Sequence, residues 1–461
     1  MREKTISEGD GAHFPQEFIS IIKAQLGDDY REFLTAHNEY SSKSIRLNRL
    51  KNIQIQPRWF PVPWCEGGFF IQEKKAFSHD PLFHGGAYYV QEASSMFLDY
   101  ILRYIGQELS DRSLVLDLCG APGGKTLILA DAFHSDSLII SNELVPKRRL
   151  ILEHNIVKWG RENILLTQSD PSKFHLLDPL FDLVLIDAPC SGEGLFRKNP
   201  AAIGQWSLEQ VKHCTMRQRR ILHNIISIIK PGGFLIYSTC TYNDDENMGH
   251  IKWLVQNDFE SITVPLSSDW RIVKKGKGKA TGYQFYPHRT KGEGFFIGVL
   301  KKKGKLERLN TSEAQVPFWK NLRQNREAGF FPISADYLDS LYTDYKNNVF
   351  YMQSHWMDVI MRLTRFIGIT PLYLGSLRDQ VYVPSHALAL SRMLDSKAPK
   401  IHLDFESSKK FLQKENLSMT DPVPGWHIAT FDDLPLGWLK GVGKRYNNYY
   451  PTRYRIRPEK Q

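Results

Sequence analysis

Between residues 86 and 303, this chain of 461 residues repeats one pattern: a short, strongly apolar run, then a stretch of helical periodicity. Apolar runs at 114–118, 137–140, 163–167, 182–186 and 234–238 read as buried strands. Helical stretches lie between them. Pro146 to Trp159 is one, its proline suited to a first turn. Leu208 to Ile229 is another, stopped by Pro231-Gly232-Gly233. Phe295 to Leu300 offers a late strand. Strands alternating with helices predict an α/β, doubly wound parallel sheet. In such sheets ligands bind outside the carboxyl ends of the strands. The residues just past each run are therefore where function is expected.

The first run ends in Asp117-Leu118-Cys119-Gly120-Ala121-Pro122-Gly123-Gly124-Lys125-Thr126. A phosphate-binding P-loop needs four residues between its first Gly and the Gly-Lys-Thr, and only three separate Gly120 from Gly124. Cys119 stands where that first Gly belongs. The loop instead suits close approach of backbone to a small cofactor. Glu143 closes the second run and is placed to accept hydrogen bonds from ribose hydroxyls. Asp170 closes the third, placed to meet an adenine amino group, and Asp187 follows the fourth. Any one such acid reads most simply as a helix cap. Acids at successive strand ends after a Gly-rich loop read as an S-adenosyl-L-methionine site.

Two thiols occupy the next two turns. Cys190 lies in Asp187-Ala188-Pro189-Cys190-Ser191-Gly192-Glu193-Gly194, and Cys240 in Tyr237-Ser238-Thr239-Cys240-Thr241-Tyr242. A free Cys is usually a small buried hydrophobe. If the preceding strands are sheet neighbours, about 4.8 Å apart, both thiols face one bound base. Cysteine is a nucleophile partly ionised at neutral pH. Thiolate addition at C6 of cytosine makes C5 reactive toward a methyl sulfonium, and a base must then remove the C5 proton. Asp187 is placed to hydrogen-bond the N3 and amino edge of that cytosine. Strand geometry alone does not choose which thiol attacks.

The rest of the composition bounds the setting. The length predicts two to four domains. A formal net charge of +10 favours an anionic partner. No run of about 20 apolar residues predicts a membrane span, and Met1 to His13 lacks the apolar core of a signal peptide. Five cysteines, an odd number, argue against a disulfide framework and for a reducing cytoplasm, and none has zinc-site spacing. Phe18, Ile21, Ile22, Leu26 and Phe33 predict N-terminal helices, and Ser44 to Lys51 a half-exposed strand with a cationic face. Lys301-Lys302-Lys303-Gly304-Lys305 reads as a linker. Lys274 to Lys279 reads as a flexible cationic loop near the catalytic region. The C-terminal tail from Trp438 to Arg457 is basic and Tyr-rich, suited to phosphates and to stacking on unpaired bases.

The loop from Asp117 to Thr126, the two cysteine turns, Val90-Gln91-Glu92-Ala93-Ser94-Ser95, Arg46 to Lys51 and His288 to Phe296 together resemble the NOP/Sun-type RNA (cytosine-5)-methyltransferases over roughly residues 15–300. The resemblance implies a Rossmann-like seven-stranded methyltransferase domain at 86–303, after an α+β RNA-binding segment at 1–85. It implies Cys240 as nucleophile and Cys190 as the group that releases product. Cys119 to Lys125, Glu143, Asp170 and Asp187 would hold S-adenosyl-L-methionine, with Lys125 also reaching the catalytic end and Cys119 serving as packing. Pro435 to Lys440 and Asn447 to Pro451 resemble the tail of the bacterial small-subunit rRNA methyltransferase F type, which implies a PUA-like RNA-binding domain at 381–461 beyond an intermediate segment at 304–380. The expected partner is RNA, ribosomal and in the small subunit, with transfer RNA as the alternative substrate and a non-catalytic assembly factor as the alternative role. No metal, no membrane and a monomer are expected.

Overall fold

The computed structural model describes residues 14–457 apart from 52, 73–76, 277, 305–318, 323–330, 380 and 418–421. The chain opens with α1 (Gln16–Leu26) and α2 (Tyr30–His37). A small antiparallel sheet follows, built from β1 (Lys43–Leu47), β2 (Phe60–Pro61), β3 (Gly68–Ile71) and, after the short α3 (Pro81–His84), β4 (Tyr88–Val90), in the order β2-β3-β1-β4. Because β4 pairs with β1, this unit runs past the expected boundary at residue 85. Arg46 on β1 also corrects the reading of a cationic face. Its guanidinium is buried, pairs with the equally buried Asp131 and lies 4.6 Å over the Trp159 ring. That strand docks the unit onto the next domain.

The central domain follows the predicted alternation. After α4 (Phe97–Ile105) come β5 (Leu114–Asp117), α5 (Gly124–Ala132), β6 (Leu138–Asn142), α6 (Pro146–Trp159), β7 (Ile164–Thr167), β8 (Phe181–Asp187), α7 (Leu208–Ile225), β9 (Ile229–Thr239) and α8 (Met248–Gln256). The strands β10 (Phe259–Ser261), β11 (Val273–Lys275), β12 (Gly282–Phe285) and β13 (Phe295–Lys302) complete it. The parallel core is β7-β6-β5-β8-β9, extended by antiparallel β13 and then β12 and β11. The seven strands from β7 to β12 are the expected Rossmann-like sheet. Alternate residues serve its two faces: Val115, Ile139, Leu185 and Ile236 face one core, Leu116, Ile140, Val184 and Leu235 the other. Both faces are covered, so the strands read as continuous apolar runs. Each such side chain contributes roughly 1.5–3 kcal/mol of burial.

Two expectations need correction here. Helix α7 stops at Ile225, and Pro231-Gly232-Gly233 lies within β9 rather than ending the helix. Lys274 and Lys275 sit on the edge strand β11, where Lys275 pairs with Asp244 at 3.1 Å, so this part is not a loop. Lys277 lies outside the described residues.

The segment from 304 to 380 is more than a linker. It supplies β14 (Lys320–Asn321), β15 (Leu341–Thr343), β16 (Asn348–Tyr351), α9 (Met357–Ile367), β17 (Ile369–Thr370) and β18 (Leu372–Arg378). β17 caps the open edge of the large sheet at β7, and Ile360, Leu363 and Ile367 of α9 join its core. β18 pairs with β19 (Val381–Pro384), so the expected boundary at 380/381 cuts through a hairpin. After α10 (His386–Leu390) come β20 (Lys400–His402), α11 (Phe405–Leu412), β21 (Gly425–Phe431), β22 (Leu434–Val442) and β23 (Arg445–Asn448), the four strands forming one sheet. Tyr446 and Tyr450 of the tail are buried in its core, so they are not free to stack on bases, whereas Tyr449 is exposed beside Trp426. Among the described residues no helix is long and apolar enough to cross a membrane.

Candidate active site

The chain order reverses at β5, whose neighbours are β6 on one side and β8 on the other. The crevice at the carboxyl ends of these strands is the ligand position of an open α/β sheet. The loop from Cys119 to Gly123 fills its floor. Gly120 passes so close to β6 that a Cβ would stand 2.3 Å from Ser141 Oγ, and Gly123 takes a φ of +123° that favours glycine. Gly123 then opens α5, whose unpaired N-terminal amides, from Gly124 on, suit an electron-rich ligand. The loop carbonyls are tied to α6: Arg148 donates to Ala121 O at 2.8 Å and Asn155 to Pro122 O at 2.8 Å. Asn142, at the end of β6, donates to Leu118 O and Ser169 O at 3.0 Å each and so ties two strand ends together. None of these three was singled out in the sequence. The spacing of Arg148 and Asn155, two turns apart on one helix face, was the available signal.

The strand-end acids are not equivalent. Asp117 is fully buried and accepts from Thr126 Oγ1 at 2.6 Å; burial pushes its carboxyl up to about 7. Glu143 is buried, accepts from Val145 N at 2.9 Å and lies 3.4 Å from Arg148. Asp170 lies three residues beyond β7, is exposed, and accepts from Ser172 N at 2.8 Å as the cap of a short turn. Asp187 ends β8, partly exposed, between the Lys125 ammonium at 2.8 Å and the Ser238 hydroxyl at 2.7 Å. Lys125 also lies 5.0 Å over the Phe295 ring, and the Asp187 carboxylate helps hold its pKa above the ordinary value against burial.

Strands β8 and β9 are parallel neighbours, with Asp187 opposite Ser238. The two thiols beyond them meet: Cys190 Sγ is 3.1 Å from Cys240 Sγ, and the Cys240 amide donates to Cys190 Sγ at 3.3 Å. Both cysteines are free. The hydrogen bond to Cys240, together with burial, pushes the Cys190 thiol well above its ordinary pKa. Cys119 is pushed up by burial as well, consistent with packing.

The turns are braced against each other. Gly194 N donates to Cys240 O at 2.9 Å, and the Ser191 and Thr241 hydroxyls meet at 2.8 Å. The buried Glu193 carboxylate accepts from Tyr242 N at 2.9 Å and from Trp206 Nε1 at 3.0 Å. Each turn is also clasped from beneath. Gln218 donates to Pro189 O and Glu246 accepts from Ser191 N, both at 3.0 Å, on either side of Cys190. Asn247 accepts from Thr239 Oγ1 at 2.5 Å and donates to Thr241 O at 3.0 Å, on either side of Cys240. Phe18, Ile22 and Phe33 of the N-terminal helices pack with Phe196, Trp206 and Tyr242 behind these loops.

Among the described residues no cluster of His, Cys, Asp or Glu is arranged to hold a metal ion. What the arrangement offers is a pair of thiols in contact, one retained as thiol, beside a carboxylate fixed by a cation.

Three family models match the chain: 16S rRNA methyltransferase RsmB/F at residues 106–301, the N-terminal domain of 16S rRNA methyltransferase RsmF at 14–93, and the methyltransferase RsmF PUA domain at 398–456. Ribosomal RNA small subunit methyltransferase F of Escherichia coli O81 (strain ED1a) is 28% identical, covering 95% of this chain and 96% of its own length. The protein of that name from Shigella boydii serotype 18 is 27% identical, with the same coverage. Among solved structures, a methyltransferase homolog protein from Pyrococcus horikoshii superposes with a TM-score of 0.54 at 28% identity, over 63% of this chain and 96% of its own. NSun6 from Pyrococcus horikoshii with SFG shares the fold, at a TM-score of 0.55 and 20% identity, over 63% of this chain and 99% of its own.

Proposed function

The chain belongs to the RsmB/F family of small-subunit rRNA methyltransferases, and from that premise we propose that it methylates C5 of a cytosine in 16S rRNA through a covalent bond between Cys240 and C6. The contact between the two thiols is the observation that carries the reading.

S-adenosyl-L-methionine, when bound, supplies an electrophilic methyl group. The donor set at the crevice fits it: a tight Gly loop opening a helix, Glu143 and Asp170 beyond β6 and β7, and Asp187 between loop and thiols. Glu143 retains acceptor capacity beyond its contacts with Val145 and Arg148. Lys125 fixes the Asp187 carboxylate, and Asp187 orients the N3 and amino edge of the cytosine.

The hydrogen bond between the thiols supports an order of events. Cys190 keeps its proton and donates it toward Cys240, which favours Cys240 as the first thiolate. The Cys240 thiolate adds to C6, and the electrons of the C5–C6 double bond make C5 nucleophilic. Once C5 carries a methyl on one face, its hydrogen lies on the other. Both thiols approach from one side, so Cys190 lies beside that hydrogen. With Cys240 bound in the adduct, Cys190 gives its own proton to solvent; as a thiolate it then takes the C5 proton, the C5–H electrons restore the C5–C6 double bond, and the C6–S electrons return to Cys240. A base paired within a helix cannot reach both thiols, so the target is unpaired or flipped out.

The test is incubation of the protein and S-adenosyl-L-methionine with 16S rRNA and, separately, with transfer RNA, followed by bisulfite sequencing. One protected cytosine in 16S rRNA is expected. Protection in transfer RNA alone moves the substrate assignment, and methyl transfer to an atom other than C5 rejects the mechanism.

A further inference from the structure

Glu246 lies in the loop between β9 and α8 with its side chain completely buried. One oxygen, Oε2, accepts from Ser191 N at 3.0 Å and from Gln218 Nε2 at 2.7 Å. The same Gln218 nitrogen donates to Pro189 O at 3.0 Å. Both partners of that nitrogen are acceptors, which settles the orientation of the carboxamide. Gln218 Oε1 then faces His250 Nε2 at 3.0 Å, so the imidazole carries its proton on Nε2 and receives Arg219 Nε at its bare Nδ1, 3.3 Å away. Burial pushes His250 down to about 3, consistent with this neutral tautomer.

The second oxygen, Oε1, is buried and has no hydrogen-bond partner among the described residues. A clasp alone does not call for a charge, because a carboxamide oxygen accepts from the same two donors. An ionised carboxylate in this place is costly. The groups it faces say where its effect falls: Cys190 and Glu193 from the loop after β8, Cys214 of α7, and Tyr237 of β9, with Arg219 on the far side of His250. Its field reaches the Cys190 thiol and pushes it further up.

We propose that Glu246 is the positioning residue of the release step: it clasps the turn on both sides of Cys190, directly and through Gln218, and its negative charge makes the Cys190 thiolate a stronger base toward the C5 hydrogen. This rests on the two-thiol reading above. Burial lifts the Glu246 carboxyl to about 7, so the charge is present above neutral pH and lost below it.

Glu246→Gln tests this, because the amide oxygen keeps both donors while the charge goes. Glu246→Ala removes clasp and charge together. In single turnover with a 16S rRNA transcript, the protein–RNA adduct is followed on denaturing gels across pH. Glu246→Ala is expected to hold the adduct at least about tenfold longer than wild type. Glu246→Gln is expected to form it at the wild-type rate and, on the alkaline plateau where Cys190 is ionised in both proteins, to resolve it several-fold more slowly, with the pH midpoint of resolution lowered by about one unit. A purely structural clasp predicts the wild-type midpoint for Glu246→Gln. That midpoint together with wild-type resolution overturns the proposal, as does wild-type resolution by Glu246→Ala. If Glu246→Ala does not fold, Glu246→Gln decides. Alkylation of Cys190 by iodoacetamide, in a Cys240→Ala background, separates this proposal from the mechanism it rests on. Glu246→Gln should lower the pH midpoint of alkylation even if wild-type protein forms no adduct, and an unchanged midpoint rejects the charge effect.

Discussion

The two cysteine turns are built on neighbouring parallel strands and clasped by adjacent residues, Glu246 and Asn247, yet the clasps differ in charge. Asn247 holds Thr239 and Thr241 with a neutral carboxamide, while Glu246 holds the Cys190 turn with a buried carboxylate. A nucleophile has to ionise, which a nearby anion opposes. A thiol that acts as base must ionise as well, but once it is a thiolate it gains strength toward a carbon-bound proton from the same anion. The asymmetry thus matches the two tasks proposed for the thiols, and it lies in the residues behind them rather than in the thiols themselves.

The largest test exchanges the thiols for methyl groups. Cys240→Ala is expected to lower methyl transfer at least 10³-fold, about 4 kcal/mol, and to leave no adduct on denaturing gels. Cys190→Ala is expected to accumulate adduct with little free methylated product. Adduct persisting in Cys240→Ala would reverse the roles and with them the meaning of the two clasps.

Next in size is the brace that joins the turns. Glu193→Ala leaves the Trp206 indole and Tyr242 amide hydrogens without their acceptor in a buried site. Each unpaired group costs about 1–3 kcal/mol, so a loss of roughly 3 kcal/mol in denaturant unfolding is expected. Both adduct formation and resolution should slow together. A change confined to one step would show that the turns are held independently.

A smaller effect, on one step only, is expected from Asn247→Ala. It loosens the Cys240 turn while the Cys190 clasp stays intact. Adduct formation should fall about 10–100-fold, in line with misplacing a reactive group by a fraction of an ångström to an ångström, while resolution of the adduct that does form is unchanged. Slowed resolution would mean that the two clasps are not separable.

What was legible in the sequence follows physical lines. The parallel strands announced themselves because both faces are buried, and the Gly loop and cysteine turns because they sit where those runs stop. Glu193, Glu246 and Gln218 were not legible as site residues. A buried polar side chain leaves no periodic signature, and its partners lie 13 to 55 positions away. Arg46 was misread for a related reason. Alternating basic and apolar residues look like a half-exposed strand, and only the third dimension reveals Asp131 and Trp159 waiting for the guanidinium. The tyrosines of the tail were read as an RNA surface by composition, but Tyr446 and Tyr450 fill the small C-terminal core.

The smallest effect separates stability from catalysis at Glu246 itself. Its carboxyl titrates near 7 in the fold against about 4.5 when free. The folded chain therefore binds the proton more tightly than the unfolded one, and this group's contribution to stability falls as pH rises between those values. Above pH 7 the ionised form carries a cost on the order of 3 kcal/mol. Glu246→Gln removes that titration but also weakens the hydrogen bonds from Ser191 and Gln218, which leaves a net gain on the order of 1–2 kcal/mol at pH 8. Thermal unfolding should show the variant more stable than wild type at pH 8, with the gap closing toward pH 5. No counterpart is expected for Asn247→Asp, where a charge is added and stability should fall most at high pH. If Glu246→Gln is instead less stable at pH 8, the carboxylate is held by more than two hydrogen bonds, and its charge would then be a structural requirement of the turn instead of a cost tolerated for Cys190.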